Sequence, residues 1–297
     1  MKNQDRKISD EVLKVSVPAK INLFLHVLGN RPNGYHELES LVAFTQVGDN
    51  LSIEPADELT FALKGPFAEK LLLNESNLVA QAARLMGKGL KKMPGARITL
   101  EKNLPVASGI GGGSADAGAT LSALNIFWRV GRTRKELLEL GLFLGADVPA
   151  CIYGKTAFLA GIGELIKPAP KFPSMGVLLV NPGLSLSTAK VFSSFDSAFS
   201  KANNEIESWL NLQTFIAYLQ KKTNDLEVPA KRLAPVINEV LDVLENEPNC
   251  LLARLSGSGA TCFGLFPSSE YAKKSKQNIS NKHQEWWVKD TDFVLSS

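Results

Sequence analysis

Cysteine and histidine are scarce, three of each in 297 residues. Cys151, Cys250 and Cys262 lie far apart and form no CxxC pair, so neither a disulfide framework nor a structural zinc site is expected. Reduced, buried thiols in a cytoplasmic protein are the expectation. No apolar run reaches the roughly 18 residues of a membrane span, and the opening MKNQDRKISDEVLK has no apolar stretch of the signal-peptide kind. No membrane partner is expected. Charge of one sign is lacking too: 33 basic against 30 acidic residues leave a formal net charge of +3. The densest basic cluster, Lys88, Lys91 and Lys92, has no interleaved aromatics and reads as a solvated helix end, so no nucleic-acid partner is expected.

Several catalytic signatures are also missing. Gly154-Lys155-Thr156 ends like a Walker P-loop, but the glycine required five places earlier is Pro149. The glycines from Gly109 onward do not spell the dinucleotide GxGxxG, since the register from Gly109 reaches Ser114 and that from Gly111 reaches Asp116. The HRD and DFG motifs of protein kinases and the GxSxG nucleophile elbow are absent.

What is present is an ordinary globular composition, 44% apolar and 21% charged, in a chain about twice the common domain length. KPAPKFP (167–173) carries three prolines in seven residues and reads as a linker. The expected domains are therefore 1–168 and 169–297.

About ten polar residues open the chain without the pattern of a regular element. Alternating apolar residues from Leu13 predict a strand that breaks at Pro18 and resumes to Val27, with Lys20 and Asn22 on one face by parity. His26 reads as a satisfied strand histidine. NRPNGYHE (30–37) is a loop, 41–47 a strand and Gly48-Asp49-Asn50 a turn. Helices are expected over 77–86, from Ser114 to about 128 and over 134–144, the last ending before Pro149, with a strand over 96–101. Beyond the linker come a strand at 176–180, mostly helix from 188 to about 244, short strands at 251–255 and 261–266, a helix near 270–280 and a strand near 286–289. Strands and helices mixed without strict βαβ alternation predict an α+β fold.

The chemistry concentrates in PVASGIGGGSA (105–115). Glycines feeding a helix N-terminus leave backbone N–H groups unshielded, and the helix dipole adds about half a positive charge there, so phosphate is the expected ligand. Ser114 either caps the helix or offers its hydroxyl to a phosphate or Mg²⁺. Asp116 suits the dipole of the first turn. From the residues alone Lys20 reads equally as a surface lysine, Asp147 as a turn or cap residue, and Tyr35 and Phe192 as packing.

PVASGIGGGSA resembles the phosphate loop of the GHMP small-molecule kinases. PAKINLFLHVLGNRPNGYHELESLV (18–42), GADVPACIYG (145–154), NDLE (224–227) and RLSGSGATCFGLF (254–266) are similar to the branch that phosphorylates the 2-hydroxyl of 4-diphosphocytidyl-2-C-methyl-D-erythritol for non-mevalonate isoprenoid synthesis. These motifs occur in the family's order across most of the chain. The resemblance implies a GHMP kinase fold, with a ribosomal protein S5 domain 2-like N-terminal domain, a ferredoxin-like C-terminal domain, and ATP and substrate meeting between them. It implies Lys20 and Asp147 as the catalytic pair. It implies ATP binding by Pro105, Val106, Ala107, Ser108, Gly109, Ile110, Gly111, Gly112, Gly113, Ser114 and Ala115. For the small-molecule acceptor, a cytidyl diphosphate sugar alcohol, it implies Tyr35 and Phe192 stacking on cytosine, His36 reading the cytosine edge and Asn22 at the methylerythritol end. The family's Gly-Leu-Gly is Gly109-Ile110-Gly111 here, and a smaller run often stands at Ala107-Ser108; both swaps keep the backbone donors. No acidic Mg²⁺ ligand is apparent, so the metal is expected on phosphates, water and Ser114. A GHMP kinase acting on mevalonate, homoserine or a sugar, and a nucleotide-binding regulatory module, are the competing readings.

Overall fold

A computed structural model describes residues 11–72, 74, 76–202 and 208–294; the patternless opening of the chain lies outside the described residues. The chain forms two compact units, each assembled from separated segments. The first takes residues up to Pro18, Gly48–Val106 and Gly112–Tyr153; the second takes Ala19–Val47, Ala107–Gly111 and Gly154 onward. KPAPKFP therefore lies inside the second unit.

Two long strands run through both sets of segments: β1 (Leu13–Asn30), paired with β2 (His36–Glu54). The expected break at Pro18 is absent, because a fixed φ near −65° is compatible with extended chain and the missing N–H matters only where the ladder calls on it. The expected turn at Gly48-Asp49-Asn50 is strand as well. Gly48 is small for a packing reason: a Cβ there would collide with the Val17 carbonyl and stand 2.8 Å from the Pro18 Cα. Asn50 continues the ladder opposite Glu101.

In the first unit β3 (Leu59–Lys64) lies parallel to β4 (Ala96–Glu101), and β4 pairs antiparallel with the C-terminal half of β2. Three helices pack with this sheet: α1 (Leu78–Gly87), α2 (Gly112–Phe127) and α3 (Arg134–Leu144). Asn77 caps α1 by accepting from the Val79 amide at 3.0 Å, and Thr133 caps α3 in a reciprocal box with Glu136. α2 buries Ala115, Ala117, Leu121, Leu124 and Phe127 around much of its circumference, so it is the helix at the core of this unit. α2 opens at Gly112, two residues before the expected start. Pro149 does not merely end α3. It sits in the first turn of a new helix, α4 (Val148–Tyr153), where a missing N–H costs nothing.

In the second unit the N-terminal half of β2 pairs with β5 (Ala157–Gly161), which pairs with β6 (Leu165–Pro168). A separate four-stranded antiparallel sheet has the order β10-β7-β9-β8, made of β7 (Gly176–Asn181), β8 (Leu252–Leu255), β9 (Cys262–Phe266) and β10 (Trp287–Asp292). β7 and β9 are buried along their full length, as central strands are. The region expected to be helical holds α5 (Thr188–Ser193), α6 (Leu212–Gln220), α7 (Glu227–Leu233) and α8 (Val236–Glu245), and α9 (Ser269–Lys282) follows β9. α8 presents Ile237, Val240, Leu241 and Leu244, the i, i+3, i+4, i+7 face, to the core. Among the described residues no helix is long and apolar enough to cross a membrane.

Arg254 on β8 is the buried pin of this unit. Its guanidinium donates to the carbonyls of Leu23 (2.7 Å), Leu219 (2.9 Å) and Lys222 (2.6 Å). Burial lowers its pKa to about 10, which leaves it charged at neutral pH. Arg254→Met strands three carbonyls, and a loss of about 2–4 kcal/mol in chemical denaturation is expected; a loss under about 1 kcal/mol would show that the pin is dispensable.

Candidate active site

The glycine loop has an alternating backbone. Ala107 (φ 51°), Gly109 (φ 77°) and Gly111 (φ 64°) are left-handed, and Ser108 and Ile110 between them are not. Alternation of this kind turns successive N–H groups toward one side and makes an anion-binding concavity. The carbonyls are held elsewhere. Ala107, Ser108, Gly109 and Ile110 accept, in order, from the Leu186 amide (2.9 Å), the Thr261 amide (3.0 Å), the Ser256 hydroxyl (3.0 Å) and the Lys20 amide (3.0 Å). Among the described residues the amides of Ala107, Gly109, Ile110 and Gly111 donate no hydrogen bond. Four fixed carbonyls and four available donors in one short segment suit a polyanion.

Close packing makes Gly109 obligatory and crowds Gly111. A Cβ on Gly109 would collide with the Ser256 carbonyl and lie 2.5 Å from the Gly259 nitrogen, and one on Gly111 would lie 3.1 Å from the Lys20 Cβ. Ala107 pays for its left-handed φ, about 1 kcal/mol for a residue with a Cβ.

Lys20 and Asn22 are both buried on β1. The Asn22 amide nitrogen donates to Ser40 Oγ (2.9 Å) and its backbone N–H to Ser256 Oγ (3.2 Å), while its Oδ1 is buried without a hydrogen-bond partner among the described residues. Asp147 belongs to the first unit, at the turn between α3 and α4, where its carbonyl accepts from the Cys151 amide at 3.2 Å. Ser114 lies inside the first turn of α2, not at its cap.

The rings brought together are His36 and Phe192, with centroids 4.9 Å apart and a tilt of 36°. Partial burial lowers the His36 pKa, so its imidazole is neutral at pH 7 with one donor and one acceptor nitrogen. Tyr35 is exposed, in a loop closed by the Arg31 N–H to Tyr35 carbonyl bond (2.7 Å) and braced by Arg31 bonds to Glu37 (2.6 Å) and Glu164 (3.3 Å). His26 is buried beside Glu39, with Nδ1 3.6 Å from the carboxylate, and burial lowers its pKa.

Residues 77–155 match the profile described as "GHMP kinases N terminal domain" and residues 200–285 that described as "GHMP kinases C terminal". A 4-diphosphocytidyl-2-C-methyl-D-erythritol kinase of Rhodospirillum rubrum is 46% identical over 94% of this chain and 92% of its own. One of Cereibacter sphaeroides is 47% identical over 93% and 97%. The chain belongs to this family of GHMP kinases. A crystal structure of a 4-(cytidine 5′-diphospho)-2C-methyl-D-erythritol kinase superposes with a TM-score of 0.75 at 29% identity, covering 95% of this chain and 99% of that one. A homoserine kinase from Cytophaga hutchinsonii shares the fold at a TM-score of 0.68 and 18% identity.

This GHMP kinase also contains a charged cluster that the sequence reading missed. Lys102 Nζ stands 2.6 Å from Asp49 Oδ2 and 2.6 Å from Asp116 Oδ2, and all three side chains are buried. Asp116 is thus a buried partner of Lys102, more than a residue suited to the dipole. A lysine at a strand end and an aspartate in an apparent turn carry no signal by spacing alone. Gly112 beside the cluster does not have a left-handed φ. Its smallness is needed because a Cβ would stand 3.0 Å from Lys102 Nζ.

Gly109→Ala is expected to weaken ATP binding at least tenfold in titration calorimetry, because the loop must shift to admit the methyl group. Ala107→Gly, which removes the φ strain, should keep ATP affinity and cost or gain no more than about 1 kcal/mol of stability. Equal ATP affinity in the Gly109 variant would mean that another segment holds the phosphates.

Proposed function

We propose that this kinase transfers the γ-phosphoryl group of ATP to the 2-hydroxyl of 4-diphosphocytidyl-2-C-methyl-D-erythritol in the cytoplasm, as a step of non-mevalonate isoprenoid precursor synthesis. The observation that carries phosphoryl transfer is the alternating loop with its available amides; identity of about half to kinases of that name supports the acceptor.

In the proposed chemistry the 2-hydroxyl oxygen bonds to the γ-phosphorus as the bond to the β–γ bridging oxygen breaks, releasing ADP. The transition state is loose, so alignment and charge stabilisation dominate. Lys20 orients the hydroxyl and offsets charge on the transferring group, and Asp147 takes the hydroxyl proton late. The amides of the loop and the N-terminus of α2 receive the phosphates. Among the described residues no group of three or more His, Cys, Asp or Glu could hold a metal ion. Mg²⁺, which keeps several waters, would be held by substrate phosphates, water and the Ser114 hydroxyl. The ion would neutralise phosphate charge. The neutral His36 offers the cytosine edge a donor and an acceptor, and Phe192, already against His36, supplies with Tyr35 the stacking surface.

ATP-consumption assays with the cytidyl acceptor, mevalonate, homoserine and a sugar test the assignment: turnover is expected with the first alone. Asp147→Asn and Lys20→Ala should each lower kcat about a hundredfold or more while ATP still binds. Turnover like that of the wild type in either variant would remove the residue from the mechanism.

Phe192→Ala should raise the acceptor KM about tenfold, as loss of one stacked ring does, with the ATP KM unchanged. An acceptor lacking the cytidyl group should then discriminate little between wild type and variant, and equal sensitivity to Phe192→Ala with both acceptors would make the ring a packing residue only.

A further inference from the structure

The Asp49, Lys102 and Asp116 cluster joins the two flanks of the glycine loop within the first unit. Asp49 Oδ1 accepts from the amides of Asn103 (2.6 Å) and Leu104 (2.9 Å), the residues that lead into the loop. Asp49 Oδ2 accepts from Lys102, and the same ammonium donates to Asp116 in α2, the helix that leaves the loop. A Cβ on Gly112, the first residue of that helix, would stand 3.0 Å from Lys102 Nζ. The entry and the exit of the most glycine-rich segment of the chain are thereby fastened to one aspartate on β2. A glycine segment loses more conformational freedom on ordering than any other, so its shape must be imposed by what surrounds it.

The cluster is costly as a device for stability alone. It places three charges in the core, where a pair seldom repays its desolvation. It also has an excess of acid, since two carboxylates share one ammonium, and Asp116 Oδ1 is buried with no hydrogen-bond partner among the described residues.

We propose that Lys102, held between Asp49 and Asp116, is a positioning residue for ATP: it fixes the loop entry against the N-terminus of α2, so that the phosphate-binding amides are aligned before ATP arrives. This rests on the reading of the glycine loop as the phosphate site. Lys102 acts through the backbone. Its side chain is only 2% exposed, so the ammonium is sealed from solvent and two of its three protons are already committed.

Two variants test this by unfolding temperature and by calorimetric Kd for ATP and, separately, for the cytidyl acceptor. Lys102→Met strands two carboxylates and should lower both stability and ATP affinity. Lys102→Met/Asp116→Asn removes one stranded charge and should regain stability, yet still bind ATP about ten- to a hundredfold more weakly than wild type with acceptor Kd unchanged. Recovery of ATP affinity along with stability in the double variant, or an equal loss of acceptor affinity, would each overturn the proposal. Wild-type protein that binds no ATP, or Gly109→Ala protein that binds it normally, would instead overturn the loop reading itself.

Discussion

The structure depends on keeping a glycine-rich backbone in a conformation it would not hold alone. Donors that face an anion must be left without partners, so the segment cannot be stabilised through its own amides. It is held by its carbonyls: Leu186, Thr261, Ser256 and Lys20 take four in succession. Hydrogen-bond capacity is divided by polarity, with acceptors spent on the protein and donors left available. This explains why RLSGSGATCFGLF is glycine-rich as well. A Cβ on Gly257 would stand 2.8 Å from the Gly109 carbonyl, so two small-residue segments must pass at van der Waals contact for the carbonyl ties to form.

The same division recurs around the loop. On β1, the Lys20 amide reaches the Ile110 carbonyl and the Asn22 amide reaches the Ser256 hydroxyl, which itself donates to Gly109, so the strand that carries the proposed hydroxyl-orienting lysine is fastened to the loop by bonds independent of side-chain charge. In the first unit, the Asp49 carboxylate replaces what a ladder would supply to Asn103 and Leu104, at the point where β4 has ended and the loop has begun. Electrostatics in the core thus serves backbone geometry.

Much of this was legible in the sequence where the local signal and the tertiary outcome agree. The strand over Ala96–Glu101 and the helix over Arg134–Leu144 have the bounds that alternation and capping predict. The continuous run of β2 was not legible, because Gly48-Asp49-Asn50 has turn chemistry that close packing on Val17 and the Asp49 hydrogen bonds override. β3, β5 and β6 are short, with alternation too brief to stand out. The glycine loop was visible as composition and as a family resemblance, but its left-handed alternation was not, since one of the three positions is an alanine. Lys102 and Asp116 escaped notice because burial of a charge is a tertiary fact. Ring pairing is another: Phe192 meets His36, which spacing along the chain cannot show.

The division into units has a consequence for synthesis on the ribosome. The chain passes from one unit to the other at residues 18–19, 47–48, 106–107, 111–112 and 153–154. The first unit is complete once residue 153 has emerged. The segment Ala19–Val47 must wait, since Leu25 bridges to Asn224 and Thr45 to Phe293. At about 5–20 residues per second that delay lasts on the order of tens of seconds, during which Ile21, Leu23, Leu25, Val27, Leu41 and Phe44 lack their final partners. The early strands of this enzyme therefore emerge well before the segments that bury them.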